Sequence, residues 1–112
     1  MPTVTADGTS AAAAGLGLTQ AELAEIAGTS PGVIAEWMRG DLGLSRAELH
    51  RMEQLVEVCW AAGLVLQPQA VKDWLFTPVP LLANARPADW IRDGRAPEVL
   101  EVVGALGEGV FV

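Results

Sequence analysis

Asp89 and Asp93 stand four residues apart in a stretch that reads as helix, a spacing that brings two carboxylates onto one face, where they can hold a metal or pass a proton. Arg92 and Arg95 lie beside them, so the same spacing also describes a solvated face of mixed charge. Few other groups are equipped for chemistry. The 112-residue chain has one histidine, His50, one cysteine, Cys59, and no tyrosine. His50 sits among Arg46, Arg51 and Glu53 and is read as solvated, while Cys59 falls on an apolar stripe and is read as an inert buried thiol. Nothing completes a metal site, no glycine-rich phosphate loop follows a strand, and no nucleophile has a base and an orienting partner nearby in sequence. These residues argue for a binding protein rather than an enzyme and call for no cofactor.

The most unusual group is the C-terminus. Gly107-Glu108-Gly109-Val110-Phe111-Val112 ends the chain on apolar side chains beside a free carboxylate, whereas an exposed end is ordinarily polar. The glycines are expected to release the preceding helix and let the backbone bend. Such an end either folds into its own core or enters the pocket of another molecule.

Composition limits the alternatives. With 51% hydrophobic residues the chain can bury the core of one domain, and no apolar run approaches the ~20 residues of a membrane span. A lone cysteine and the absence of a leader pattern point to a cytoplasmic protein with no internal disulfide. A net charge of −7 repels nucleic-acid phosphate and favours basic partners.

The elements that must position these groups all read as helices. Residues 1–8 form a flexible arm, and the alanines of Ser10 to Ala14 make a weak first helix. Thr19 with Glu22 is a capping box; Leu23, Ile26 and Ala27 line the helix it opens, and Gly28 closes that helix. Ser30 and Pro31 start the next, which carries Val33, Ile34, Trp37 and Met38 and stops at Gly40. Ser45 with Glu48 opens the longest helix, Arg46 to about Ala62, with Leu49, Met52, Val56, Cys59 and Gly63 as its apolar stripe and Leu55, Val58 and Ala62 widening it. A stripe that broad calls for packing on both sides or against a second copy. Trp60 is expected in the core. Beyond Gln67, prolines 68, 80, 87 and 97 each begin a short helix, and Val99, Val102, Val103 and Leu106 share a face of the last. The fold is therefore all-α, divided as an arm (1–8), a helix-turn-helix module (9–44), a long central helix (45–66) and a region of short helices ending in the apolar tail (67–112).

Leu18-Thr19-Gln20-Ala21-Glu22-Leu23-Ala24, Gly28-Thr29-Ser30 and Val33-Ile34-Ala35-Glu36-Trp37 resemble an Xre/Cro-like repressor module. The resemblance implies DNA contacts from Gln20, Thr29, Ser30 and Arg39. The charge speaks against strong binding: up to Leu44 the sole basic residue is Arg39, against Asp7, Glu22, Glu25, Glu36 and Asp41. Gly32 and Ala35 have nothing with which to read a base edge. Operator binding by the free chain is expected to be weak, and two readings stay open, a DNA reader and a packing scaffold.

The C-terminal residues Trp74-Leu75, Leu81-Leu82, Arg86-Pro87-Ala88-Asp89, Asp93-Gly94, Val99, Leu106 and Gly109 resemble the toxin-binding domain of the MbcA/ParS/Xre antitoxin family, and the match runs from about Leu16 onward. The resemblance implies the antitoxin of a type II toxin–antitoxin system. Its partner would be a RES-domain toxin that destroys NAD, blocked at its active site by the antitoxin's C-terminal end, and the antitoxin would repress its own operon. Toxin contacts are then expected from Trp90, Ile91, Arg92, Glu108, Gly109, Val110, Phe111 and Val112. Val110, Phe111 and Val112 would fill an apolar part of the cleft, and the terminal carboxylate and Glu108 would meet its cations. Burial habit alone places Trp74 and Trp90 in the core and allows Phe111 to cap its own core. A homodimer or a hetero-complex with the toxin is expected, with no membrane partner. The rival classes are a free-standing repressor and a non-catalytic adaptor that oligomerises.

Overall fold

The capping residues act where the sequence puts them. The computed structural model describes residues 15–41 and 43–108, and within these every regular element is helical. Helix α1 spans Gln20–Ala27: Thr19 Oγ1 accepts the Glu22 N–H at 3.1 Å, and the Glu22 carboxylate accepts the Thr19 N–H at 2.8 Å. Gly28 ends α1 in the left-handed conformation, φ 78°, and its N–H donates to the Ala24 carbonyl at 2.8 Å. The second helix, α2, spans Pro31–Met38 behind an N-cap in which Ser30 Oγ accepts the Val33 N–H. The long helix α3 spans Arg46–Ala62 from the Ser45–Glu48 capping box.

The prolines organise the rest. Helix α4 (Pro68–Leu75), a single 3-10 turn (Pro80–Leu82) and α5 (Pro87–Arg92) each begin on one. The last helix, α6, spans Ala96–Gly107, so it begins one residue before the expected start, with Pro97 at its second position. An antiparallel bridge between Val79 and Ala85 closes the loop around the 3-10 turn, and Leu82 points inward there while Leu81 is exposed.

One apolar core joins the elements. Helix α1 packs on α2, α3 and α5, while α3 also carries α6, which in turn contacts α5. Leu23, Ile26, Ile34, Met52, Leu75 and Ile91 are fully buried among them, each worth about 1.5–3 kcal/mol of burial before ordering costs. Trp74 packs against this core with its indole N–H buried and without an acceptor among the described residues.

Three expectations are corrected. On α3 the fully buried line is Met52, Leu55, Val58 and Ala62; Leu49, Val56 and Cys59 flank it half-buried, and Gly63 is exposed. The line is shifted because α1, α5 and α6 meet this helix from more than one direction. Trp60 is 65% exposed rather than in the core, since two residues beyond Val58 a helix has turned about 200°. Arg51 is half-buried and bonded inward, not free on the solvated face assigned to it with His50. Its Nε donates to the Arg92 carbonyl and its Nη1 to the Ala27 carbonyl, both at 2.8 Å. One guanidinium on α3 thus satisfies carbonyls at the ends of α1 and α5.

Candidate functional site

The C-terminal face is built outward from Arg86. This residue occupies the N-cap position of α5, where its backbone N–H donates to Asp89 Oδ2 at 3.3 Å. Its guanidinium grips the same carboxylate with Nε at 3.0 Å and Nη2 at 2.6 Å, reaches Glu25 on α1, and lies over the Phe76 ring at 5.5 Å. The Arg86 hydrogen bond holds the Asp89 carboxyl below the ordinary carboxylate range, against the opposing effect of burial; Arg92 adds to the lowering. The same pairing with Asp89 and Glu25 raises the Arg86 pKa, so its charge is permanent.

Asp89 and Asp93 therefore do not act as a pair. Asp89 is neutralised by Arg86 and by Arg92 at 3.6 Å, and Asp93 meets Arg92 at 3.7 Å. Among the described residues no group of three or more His, Cys, Asp or Glu is placed to hold a metal ion. Cys59 is half-buried against the apolar core, and desolvation pushes its thiol up to about 12, far from the thiolate needed for reaction.

Beyond α5 lies a shallow groove of about 270 Å³ between the 3-10 turn, α5 and α6, lined by Leu81, Leu82, Trp90, Glu98, Glu101 and Val102. Trp90 is half-buried, and the Arg95 guanidinium covers its ring at 3.8 Å. Glu98 fixes Arg95 through two bonds, at 3.0 and 2.8 Å. Leu81, 54% exposed, forms the lip. Such a groove, with apolar walls and carboxylates at its edge, suits an apolar side chain next to a cation.

The predicted partner contacts are distributed unevenly over this face. Trp90 lines the groove, whereas Arg92 does not: it is half-buried against Asp89 and Asp93, and its carbonyl accepts a bond from Arg51. Ile91 is wholly inside the core and supports the face from beneath, which corrects its expected role as a contact. Glu108 is exposed at the end of α6. Gly109, Val110, Phe111 and Val112 lie outside the described residues. Gly107 is the last residue of α6, so the helix ends at this glycine, without a positive φ, and a Cβ placed on it would stand 3.1 Å from Val65 Cγ1. Its small size serves close packing of α6 on the chain that follows α3.

Of the groove's lining residues the sequence singled out Trp90 alone as a contact and missed Leu81, Leu82, Glu98, Glu101 and Val102. The available signal was the pair Leu81-Leu82 in a single turn, since one of two adjacent leucines must face outward there.

The predicted DNA contacts are not gathered into a basic surface. Gln20 is exposed, Ser30 is engaged as the α2 cap, and Thr29 is half-buried. Arg39 turns to Asp41 at 3.1 Å, so the one cation of this region is already neutralised.

No family model matches the chain. Curated relatives do: the "Mycobacterial cidal antitoxin MbcA" of Mycobacterium bovis and that of Mycobacterium tuberculosis are each 38% identical over 97 residues, covering 87% of this chain and 86% of theirs. The chain belongs to the MbcA antitoxin family. A chain in the crystal structure of the M. tuberculosis MbcT–MbcA toxin–antitoxin complex superposes with a TM-score of 0.85 at 37% identity, over 99% of this chain and 100% of that one. Within this MbcA-like fold, the groove and the end of α6 belong to the segment whose residues carried the family resemblance. No helix among the described residues is long and apolar enough to cross a membrane.

Proposed function

We propose that this protein neutralises a cognate RES-domain toxin that degrades NAD, binding it through the region of α5, α6 and the groove and placing the C-terminal Gly109–Val112 segment in the toxin's active site. What supports this reading most is the likeness along the whole chain to a protein solved within a toxin–antitoxin complex. The groove supplies a second support. Leu81, Trp90 and Val102 offer apolar contact, while Glu101 and Glu108 bring negative charge to a surface that would face a cleft shaped for an anionic dinucleotide. Such a cleft is cationic, and the net charge of −7 favours the encounter. Burying Phe111 and a valine contributes roughly 1.5–3 kcal/mol each before ordering costs, so the tail blocks while the helical face supplies most of the affinity.

Co-expression in a bacterial host tests both parts. The full chain is expected to preserve growth and cellular NAD when the toxin is induced, and a chain lacking Val110, Phe111 and Val112 is expected to bind the toxin yet let NAD fall. Failure of the full chain to protect overturns the antitoxin reading. Protection by the truncated chain overturns only the tail mechanism.

A further inference from the structure

Three of the four large apolar side chains that stand exposed among the described residues fall in one short stretch: Trp60 at 65%, Leu64 at 78% and Val65 at 41%. The end of α3 holds them together. The Leu64 N–H donates to the Ala61 carbonyl and the Val65 N–H to the Ala62 carbonyl, both at 3.1 Å, so the helical path runs on past Ala62 and sets Leu64 one turn beyond Trp60, about 5–6 Å away. This patch shares no residue with the groove. An indole and two aliphatic side chains side by side in water are the least solvent-compatible part of the described surface.

The end of α6 arrives at the same place. Gly107, the last residue of α6, would set a Cβ 3.1 Å from Val65 Cγ1, and Gly109-Val110-Phe111-Val112 follow after Glu108. An extended chain covers about 3.3–3.6 Å per residue, so Phe111 has a reach of about 14 Å from Gly107. Trp60 lies on the order of 10 Å from Val65, one residue and one helical turn back along the chain. The whole patch is within that reach. To enter the groove the segment would have to double back along α6 past Glu101, whereas the patch begins where α6 stops.

We propose that in the free protein Val110, Phe111 and Val112 fold back over Trp60, Leu64 and Val65, and that the toxin draws them off this patch before they enter its active site. Phe111 sets its ring against the indole, and the valines cover the aliphatic pair. Glu57, one turn before Trp60, and Glu108 are both acidic, so the contact is apolar alone and yields to a cleft that adds cationic partners. The apparent affinity for toxin then falls in proportion to the fraction of free molecules whose segment is undocked. The fold-back does not depend on the toxin reading; the release rests on it, because it takes this segment as the part that enters the toxin.

Fluorine NMR on the full chain labelled with fluorotryptophan tests the fold-back. The four tryptophans give four signals, with Trp60 and Trp90 assigned through W60F and W90F. The displacement of each signal between light and heavy water reports its access to solvent, with the buried Trp37 and free tryptophan as the two limits. In the full chain Trp60 should lie toward the buried limit. In a chain lacking Val110, Phe111 and Val112 it should move to the free limit, and F111S, which keeps the length, should take it most of the way; Trp90 should stay where it is. A Trp60 equally open in the full and shortened chains overturns the proposal. A change at Trp90 in place of Trp60 overturns it by putting the segment in the groove. A Trp60 covered equally in both chains, and only at high concentration, overturns it by making a second copy the cover. Titration with toxin reads the release: L64S, at a position 78% exposed and so without a part in the core, should bind about two- to tenfold more tightly than the wild type. An affinity unchanged or weaker overturns the switch. Toxin that binds neither chain defeats the antitoxin reading instead, and the fluorine comparison then decides the fold-back by itself.

Discussion

Replacing Arg51 by methionine tests how the two halves of the chain are joined. The methionine keeps most of the apolar stem but removes both donors, leaving the Ala27 and Arg92 carbonyls at the ends of α1 and α5 without the 2.8 Å bonds they now receive. A hydrogen bond from a charged group contributes about 1.5–3 kcal/mol, and a cation at a helix C-terminus adds about 0.3–1 kcal/mol. The side chain is only part-buried, so water can reach the freed carbonyls to some extent and the sum must be discounted. A loss of about 3 kcal/mol is expected, which in a domain of this size lowers Tm by roughly 10–15 °C. Lysine at the same position, with a single ammonium in place of a fork, reaches one carbonyl but not both and should recover less than half of the loss. Gly28 supplies an internal check. Its φ of 78° and the Arg51 Nη1 atom 2.9 Å from its Cβ position make Gly28→Ala costly twice, through backbone strain and through displacement of Arg51. In the Arg51→Met background the second cost vanishes, so the double variant should lose less than the two singles added together. Urea titrations monitored by circular dichroism give all four values. An Arg51→Met protein melting within about 2 °C of wild type would refute the view that this guanidinium ties α1, α3 and α5 together, and additive losses would refute its contact with Gly28.

Other outcomes follow from the same geometry. Asp89, Glu22 and Glu48 all have folded pKa values held below the ordinary carboxylate range: Asp89 chiefly by its hydrogen bond to Arg86, Glu48 chiefly by the Ser45 backbone amide, and Glu22 by Thr19 and Lys72 against an opposing burial effect. A lowered folded pKa contributes stability that is present above the unfolded value and lost as pH falls through the folded one, so Tm should be flat from neutral pH down to about 5 and drop steeply below about 4; Asp89→Asn should flatten that acid limb. Alkylation of Cys59 by iodoacetamide at pH 8 should be slow in the native protein and fast in urea, because a thiol pushed up to about 12 supplies almost no thiolate; equal rates in both would show it to be accessible. Gly107→Ala should be neutral to stabilising by up to about 1 kcal/mol, since Gly107 is helical and Val65, 41% exposed, can yield the few tenths of an ångström required. If that variant protects cells from the toxin as well as the wild type does, bending at Gly107 has no part in neutralisation.

The chain by itself determined where its helices begin and end. Thr19 with Glu22, Ser30 with Pro31, Ser45 with Glu48, and the prolines at 68, 80, 87 and 97 act through neighbours three or four residues away, and a local rule can be read from local sequence. The failed pairing of Asp89 with Asp93 was legible in the same way, because Arg92 stands between them. Tertiary structure alone decided which way each helix turns and which distant groups meet. Trp60 and Val58 are both apolar and two residues apart, and only the placement of α1, α5 and α6 around α3 sends one to solvent and the other to the core. Ile91 and Trp90 are adjacent in sequence, yet one supports the groove from inside and the other lines it. Arg51 read as a surface charge because its two carbonyl partners lie 24 and 41 residues away, and Arg86 reaches Glu25 across 61. Interactions over such separations leave no periodic trace in the sequence, since they arise only when packing brings the ends of α1 and α5 to the same side of α3.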